Sequence, residues 1–231
     1  MNPTAVAFIS CVNDEAMYKK CVSFIEKLKI PSGFEIEVIP IYGARSMTSG
    51  YNTAMKQSDA KYKVYLHQDT FILNNNFIED ILKIFEQDQN IGMIGIAGAR
   101  QLPPSGTWWE DPAQCGKVLM FTNSFQSILF GEIYADYESV QAIDGVIMVT
   151  QYDVEWNENI DGFHFYDTSQ CLNFNRQGYQ IVIPNQKYPW VLHYCFDDVN
   201  FVEYYSARLR FHRHYHMSEW YPTCKTGQPS S

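Results

Sequence analysis

The sequence contains no apolar run of about 18 or more residues, the length that a membrane-crossing helix requires. Nor does it open with a basic stretch followed by a long apolar one, as a secretory leader would. Neither a transmembrane segment nor secretion is expected. Basic residues are scarce: 17 Lys and Arg stand against 26 Asp and Glu, a net charge of -9, which excludes a nucleic-acid phosphate track. The six cysteines form no CxxC pair and no zinc-type spacing. Several fall inside apolar patterns, where a thiol behaves as a small buried hydrophobe. They are read as reduced, which predicts a cytoplasmic compartment. There is no internal repeat, no low-complexity tract, and neither a P-loop nor a GxGxxG pattern.

What is present points to a globular enzyme-sized chain. Apolar residues make up 46% and aromatics 16% of 231 residues, enough for one α/β domain with a substantial core. The first hundred residues alternate strand and helix patterns. An apolar run over residues 5–9 is followed by Asn13, Asp14 and Glu15 at a helix start, and the spacing of Met17, Cys21, Phe24, Ile25 and Leu28 carries that helix to about Lys29. Strands over 34–41, 63–67 and 91–99 alternate with helices through Asn52 and Met55 and through Phe77, Ile81, Leu82, Ile84 and Phe85. This order predicts a Rossmann-like, mostly parallel central sheet flanked by helices, with ligands at the strand C-termini. From Gln101 the pattern changes to a Pro-, Gly- and Trp-rich loop and short strands over 117–121 and 142–149. A helix over Tyr166–Arg176 ends at Gly178, and strands follow over 180–183 and 190–193. We expect one domain over residues 1–222, divided at about residue 100 into two halves, and a polar tail over 223–231.

Several residues could carry chemistry, and each has a plainer reading. Asp69, in His67-Gln68-Asp69 beyond a strand end, can hold a divalent cation across two phosphates, or cap a turn. His193 at another strand end can offer an imidazole to a metal, or sit satisfied in the core. Asp167 at a helix start can act as a general base, or as a dipole partner. The loop from Arg45 to Asn52 combines basic, hydroxyl and glycine groups suited to diphosphate or ribose, or is surface-loop chemistry. Trp108, Trp109 and Trp156 can stack on sugar rings or pack in the interior. The basic cluster from Arg208 to His216 reads as a solvated face, or as a contact with diphosphate or with anionic lipid at the inner membrane face.

Taken in order, these segments resemble the inverting GT-A-fold glycosyltransferases, specifically a small bacterial glycosyltransferase-like branch of the large family that builds polysaccharides. The resemblance covers about residues 5–195. It is carried by Cys11-Val12-Asn13-Asp14-Glu15, by Ser46-Met47-Thr48-Ser49-Gly50-Tyr51-Asn52 and by Val64-Tyr65-Leu66-His67-Gln68-Asp69. Downstream it is carried by Ile143-Asp144-Gly145-Val146 and Asp161-Gly162-Phe163-His164-Phe165-Tyr166-Asp167. The resemblance implies a GT-A (nucleotide-diphospho-sugar transferase) fold, with residues 1–100 as its nucleotide-sugar half and 101–222 as its acceptor half, and places Asn13, Asp14, Glu15, Arg45, Asn52, His67, Gln68 and Asp69 around the nucleotide sugar. Asp69 matches the last acid of the DXD motif, while His67 replaces its first. Asp144 and Gly145, with Trp108 and Trp109, fall beside the donor sugar and acceptor. Asp167 matches the catalytic base, and His193 joins Asp69 as a metal ligand.

The implied reaction moves a hexosyl-type sugar, with inversion, from a UDP-sugar or related donor to a glycan or other hydroxyl acceptor, with Mn2+ or Mg2+ on the diphosphate. Two rivals follow from the same residues. His67 in the DXD position suits a non-catalytic sugar-nucleotide or glycan-binding module. A nucleotidyltransferase shares the sheet, but should show a glycine-rich basic loop where this chain has Asn13-Asp14-Glu15.

Overall fold

The structure, a computed structural model, describes residues 1–195 and 200–217. The chain opens with β1 (Asn2–Val12), whose side chains alternate between two buried faces. Helix α1 (Glu15–Ile25) starts where the Asp14 carboxylate accepts the N–H groups of Ala16 and Met17, at 2.9 and 3.0 Å. It ends at Ile25 and not at Lys29. Leu28 keeps the apolar spacing, but its N–H bonds back only three residues, to Ile25, so the last turn tightens out of the α-helix.

Next come β2 (Glu35–Tyr42), α2 (Met47–Gln57) with a Ser46/Ser49 capping box, β3 (Ala60–Leu66), β4 (Thr70–Ile72), α3 (Phe77–Gln87), β5 (Ile91–Ile94) and β6 (Ala97–Ala99). A short 3-10 turn over Trp108–Glu110 leads into β7 (Gln114–Phe121), β8 (Phe125–Leu129), β9 (Tyr137–Val140), β10 (Ala142–Ile143) and β11 (Ile147–Thr150). The chain continues through α4 (Tyr166–Arg176), β12 (Gln180–Pro184), β13 (Val191–Tyr194) and α5 (Phe201–Tyr215).

The larger sheet has seven strands in the order β2-β1-β3-β11-β5-β12-β9. Strands β2, β1, β3, β5 and β12 run one way, while β11 and β9 run against them, so the sheet is largely parallel, as expected. One face, with Val6, Phe8, Val64 and Leu66, packs on α1 and α3 through Cys21, Ile25, Ile78 and Ile81. The other, with Ala5, Ala7, Ile9 and Tyr65, packs on α2 and α4 through Met47, Tyr51, Cys171 and Phe174. Helices on both faces of a mostly parallel sheet give the single α/β domain that the strand–helix alternation predicts.

A second sheet, in the order β10-β6-β7-β13-β4 with β8 on β7, departs from the sequence reading. The predicted strand over 91–99 is two strands in two sheets: the Gly95 N–H joins β12 at Val182, and the Ile96 carbonyl joins β7 at Lys117. The predicted strand over 142–149 divides likewise at Asp144-Gly145, because Asp144 turns back to accept the Val146 N–H at 2.7 Å. The basic cluster is not simply a solvated face. It lies on α5, whose Ala207, Phe211 and Tyr215 are buried against Ile160 and Phe165. Among the described residues no helix is long and apolar enough to cross a membrane, and Cys11, Cys21, Cys115, Cys171 and Cys195 are free thiols. Cys224 and the 223–231 tail lie outside the described residues.

Candidate active site

Strand pairing brings together side chains far apart in sequence. β3 ends at Leu66, and the His67-Gln68-Asp69 turn leads directly into β4. β4 pairs antiparallel with β13 in a register that sets His193 opposite Thr70, one residue from Asp69. The Tyr194 N–H then donates to the Asp69 carbonyl at 2.9 Å. On the other side β11 pairs with β3, Ile147 opposite Leu66, and the His67 N–H donates to the Val146 carbonyl at 3.1 Å. This places Asp144 and Gly145 beside His67.

His67, Asp69 and His193 each offer one donor atom, all within 4.8 Å of one another. Asp69 Oδ1 is 3.5 Å from His193 Nε2 and 4.0 Å from His67 Nδ1. It is buried and has no hydrogen-bond partner. Its positive partner is His193, ion-paired with it at 3.5 Å, and a divalent cation would take the place of that imidazolium proton. Two imidazoles and a carboxylate form a donor set suited to a divalent transition metal, so the residues fit such an ion. Burial holds His67 below its ordinary pKa, and hence neutral near pH 7. Burial also opposes charge on His193, but the Asp69 carboxylate and the Cys195 thiol, whose Sγ lies 3.1 Å from Nδ1, outweigh it and raise the pKa to about 10. Burial raises Asp69, yet the two histidines hold it below the usual carboxylate range.

Asp167 faces the same space from the first turn of α4. The residue before α4, Phe165, is left-handed at φ 61°, a conformation uncommon outside glycine, and it turns the chain so that Tyr166 and Asp167 point inward. Asp167 Oδ1 accepts the Thr168 N–H at 2.8 Å, and Oδ2 accepts the Gly145 N–H at 3.2 Å. Burial, reinforced by the nearby Asp144 charge, pushes its pKa up to about 7 against the pull of those N–H groups. A carboxylate that exchanges a proton near neutrality is matched to general-base work.

Two cavities meet at this point. One, of about 480 Å³, is lined by His67, Asp144, Gly145, Asp167 and His193 at its polar end, with Trp108, Trp109 and Tyr204 on its wall. The other, of about 360 Å³, is lined by Cys11, Val12, Asn13, Gly43, His67, Gln68 and Asp69. His67 and Phe163 line both.

Not every residue singled out in the sequence reaches these cavities. Gln68 Oε1 accepts the N–H groups of Asn13 and Asp14, each at 2.9 Å, and its amide donates to the Asn13 side chain, tying the β1–α1 loop to the Asp69 turn. Asp14 caps α1, and Glu15 accepts the Tyr42 hydroxyl at 2.7 Å. Arg45 lies outside, 3.8 Å from both Glu158 and Asp161. Asn52 is buried, with its amide bonded to the Trp156 backbone at 2.9 and 2.8 Å. Trp156 packs between Tyr51 and Tyr65. Sequence reasoning missed Tyr166, whose hydroxyl bonds His67, and also Phe163 and Tyr204. The only sequence signal for them is their place in the aromatic run before Asp167 and in the aromatic-rich stretch that becomes α5.

A profile of the family described as "Glycosyltransferase like family" matches residues 7–215. The chain belongs to that family. Comparison with curated protein sequences gives no match. Among solved structures, mannosyltransferase PcManGT from Pyrobaculum calidifontis, in complex with GDP-Man and Mn2+, superposes with a TM-score of 0.51 at 13% identity, over 94% of this chain and 63% of its own. S. aureus TarS 1-349 in complex with UDP-GlcNAc gives 0.56 at 8% identity, over 88% of this chain and 64% of its own. GalNAc-T7 with UDP, GalNAc and Mn2+ gives 0.59 at 8% identity, over 84% and 44%. This glycosyltransferase-like chain thus shares their GT-A fold while spanning less than two thirds of the length of each.

Proposed function

We propose that the chain is a metal-dependent glycosyltransferase that moves a sugar, with inversion, from a nucleoside-diphosphate sugar, UDP-linked by analogy, to a hydroxyl of a glycan or similar acceptor. One observation carries this reading: the His67, Asp69 and His193 donor set lies where the two cavities meet, with Asp167 lining the larger one. Residues 11–69 supply most of the smaller cavity, which suits the nucleoside and diphosphate, while residues 97–204 supply most of the larger, which suits the sugar and acceptor. That division supports a donor half over 1–100 and an acceptor half over 101–222 of a single domain, of which residues 196–199 and 218–222 lie outside the described ones.

His67, Asp69 and His193 would hold Mn2+, or Mg2+ less readily given two nitrogen ligands, and the ion supplies positive charge for the departing diphosphate. Asn13 and Gln68, which line the smaller cavity, would contact the nucleoside; Trp109, half exposed beside the larger cavity, would offer a flat face to a sugar ring, with the buried Trp108 packed edge-on behind it at 5.8 Å. Asp167 takes the proton of the acceptor hydroxyl as its oxygen bonds to the anomeric carbon. The bond from that carbon to the β-phosphate oxygen breaks, and its electron pair leaves with the nucleoside diphosphate. Attack opposite the leaving group inverts the anomeric configuration. Asp14, Glu15, Arg45 and Asn52 act in this reading by shaping the loops around the nucleotide. A cytoplasmic setting and bacterial polysaccharide building are proposed with this activity.

The test is a thermal-shift screen of nucleotide sugars with and without Mn2+, using Asp69→Asn as control, because a ligand that binds the folded state alone raises the apparent melting temperature. A Mn2+-dependent shift with a nucleoside diphosphate, lost in Asp69→Asn, is expected. No such shift with any nucleoside diphosphate would replace the proposal with a glycan-binding module.

A further inference from the structure

We infer that Tyr166 is a positioning residue that fixes the tautomer of His67 and aims the bare Nδ1 of that imidazole at Asp69 and His193. This rests on the reading of those three side chains as a metal centre. The inference follows from counting protons. The Tyr166 hydroxyl has one, and it donates to the Gly145 carbonyl at 3.1 Å. A carbonyl can only accept, so keeping both of the phenol's bonds commits that proton to Gly145. The same phenol oxygen bonds His67 Nε2, and with its own proton spent it can only accept there. His67 Nε2 therefore carries the N–H, and in a neutral imidazole Nδ1 is left with a lone pair.

Nδ1 is the nitrogen that faces the centre, 4.0 Å from Asp69 Oδ1. The opposite tautomer would require Tyr166 to turn its proton toward His67 and leave the Gly145 carbonyl without that donor. Metal-binding histidines commonly have their second nitrogen held in this way, which sets both ring orientation and basicity. Here a phenol serves, and it cannot drift: Tyr166 is buried, with Tyr51 edge-on at 6.0 Å and Trp156 at 6.2 Å. Phenylalanine would fill the same space, so the hydroxyl is there for its polarity.

The experiment has two arms. In the metal-free wild type, proton–nitrogen correlation spectra of nitrogen-labelled histidine rings, with His67 assigned by its loss in His67→Gln, are expected to show the Nε2–H form. Mn2+ titration followed by electron paramagnetic resonance is expected to show Tyr166→Phe binding about 10–100-fold more weakly than wild type, with circular dichroism unchanged. An Nδ1–H form in the wild type overturns the inference, as does Tyr166→Phe binding Mn2+ as tightly as wild type. If Tyr166→Phe does not fold, the wild-type tautomer alone decides. A wild type in the Nε2–H form that binds no Mn2+ removes the metal reading and leaves the ring assignment standing.

Discussion

Tyr166 and Asp167 grip opposite ends of the Gly145 peptides: the phenol donates to the Gly145 carbonyl at 3.1 Å, and the Gly145 N–H donates to the carboxylate at 3.2 Å. The candidate base and the residue that orients His67 are thereby referenced to one backbone position. That position has no room for a side chain. A Cβ on Gly145 would lie 2.1 Å from the Tyr166 oxygen and 2.6 Å from its Cζ. Gly145→Ala is expected to cost about 1–3 kcal/mol of stability through overpacking. Displacing the catalytic groups by even about 1 Å should also lower kcat on the order of a hundredfold. Chemical denaturation and steady-state kinetics measure both, and native values for this variant would show that α4 yields freely.

Asp167 makes a prediction about the pH dependence of the rate. Its pKa is raised to about 7, first by burial and then by Asp144, so the fraction able to accept a proton grows as pH rises through neutrality. The acid limb of kcat/KM should follow it. Asp167→Asn should lose about a hundredfold to ten-thousandfold in kcat and keep its nucleotide-sugar thermal shift. An Asn variant with near-normal turnover would reassign Asp167 as a helix-terminal partner.

The same shift predicts an opposite trend in stability. Unfolded, the carboxyl titrates near the ordinary aspartate value of 3.8, whereas folded it keeps its proton to about 7. The stability it lends is complete below the lower value and is lost as pH climbs through the upper one, because the unfolded state then gains by ionising. Asp167→Asn removes this penalty. Compared with wild type it should be more stable at about pH 8 than at about pH 4, by an amount on the order of a few kcal/mol at most. Equal differences at the two pH values in denaturant melts would mean that Asp167 ionises as freely in the fold as outside it.

The strand–helix alternation of the first hundred residues is legible in the sequence because local periodicity and burial agree there: Val6 and Phe8 face one helix layer, Ala5, Ala7 and Ile9 the other. The division of 91–99 and 142–149 between two sheets is not legible. Asp144-Gly145 marks where the second run can break, but which sheet each half joins is decided only by distant partners, Val182 and Lys117 for the first run. Asp69 and His193 stand out as polar groups at strand ends, yet their approach depends on the β4–β13 register, which no local pattern encodes. Tyr166 is hidden for the same reason, since its partners are a backbone carbonyl and a histidine from other elements. Helix α5 is masked by its arginines and histidines. Its anchors, Phe211 and Tyr215, look solvent-facing until Ile160 and Phe165 are brought against them.

Helix α5 supplies the last prediction because it touches one cavity and not the other. Phe211 is fully buried, with its ring 5.2 Å from Phe165 and 4.8 Å from Tyr215, and the helix holds Tyr204 on the wall of the larger cavity. Tyr204 also packs on Trp109 at 5.8 Å and exchanges a hydroxyl hydrogen bond with Thr107 at 3.0 Å. Phe211→Ala should cost about 3–5 kcal/mol, the usual range for truncating a buried phenylalanine. At temperatures where the variant stays folded, the loosened helix should raise KM for the acceptor. The residues lining the smaller cavity, Cys11 to Asp69 and Phe163, include none from α5, so the Mn2+-dependent shift with nucleoside diphosphate should stay near wild type. A parallel loss of both would mean that the two cavities act as one cooperative unit, and an unchanged acceptor KM would separate α5 from acceptor binding.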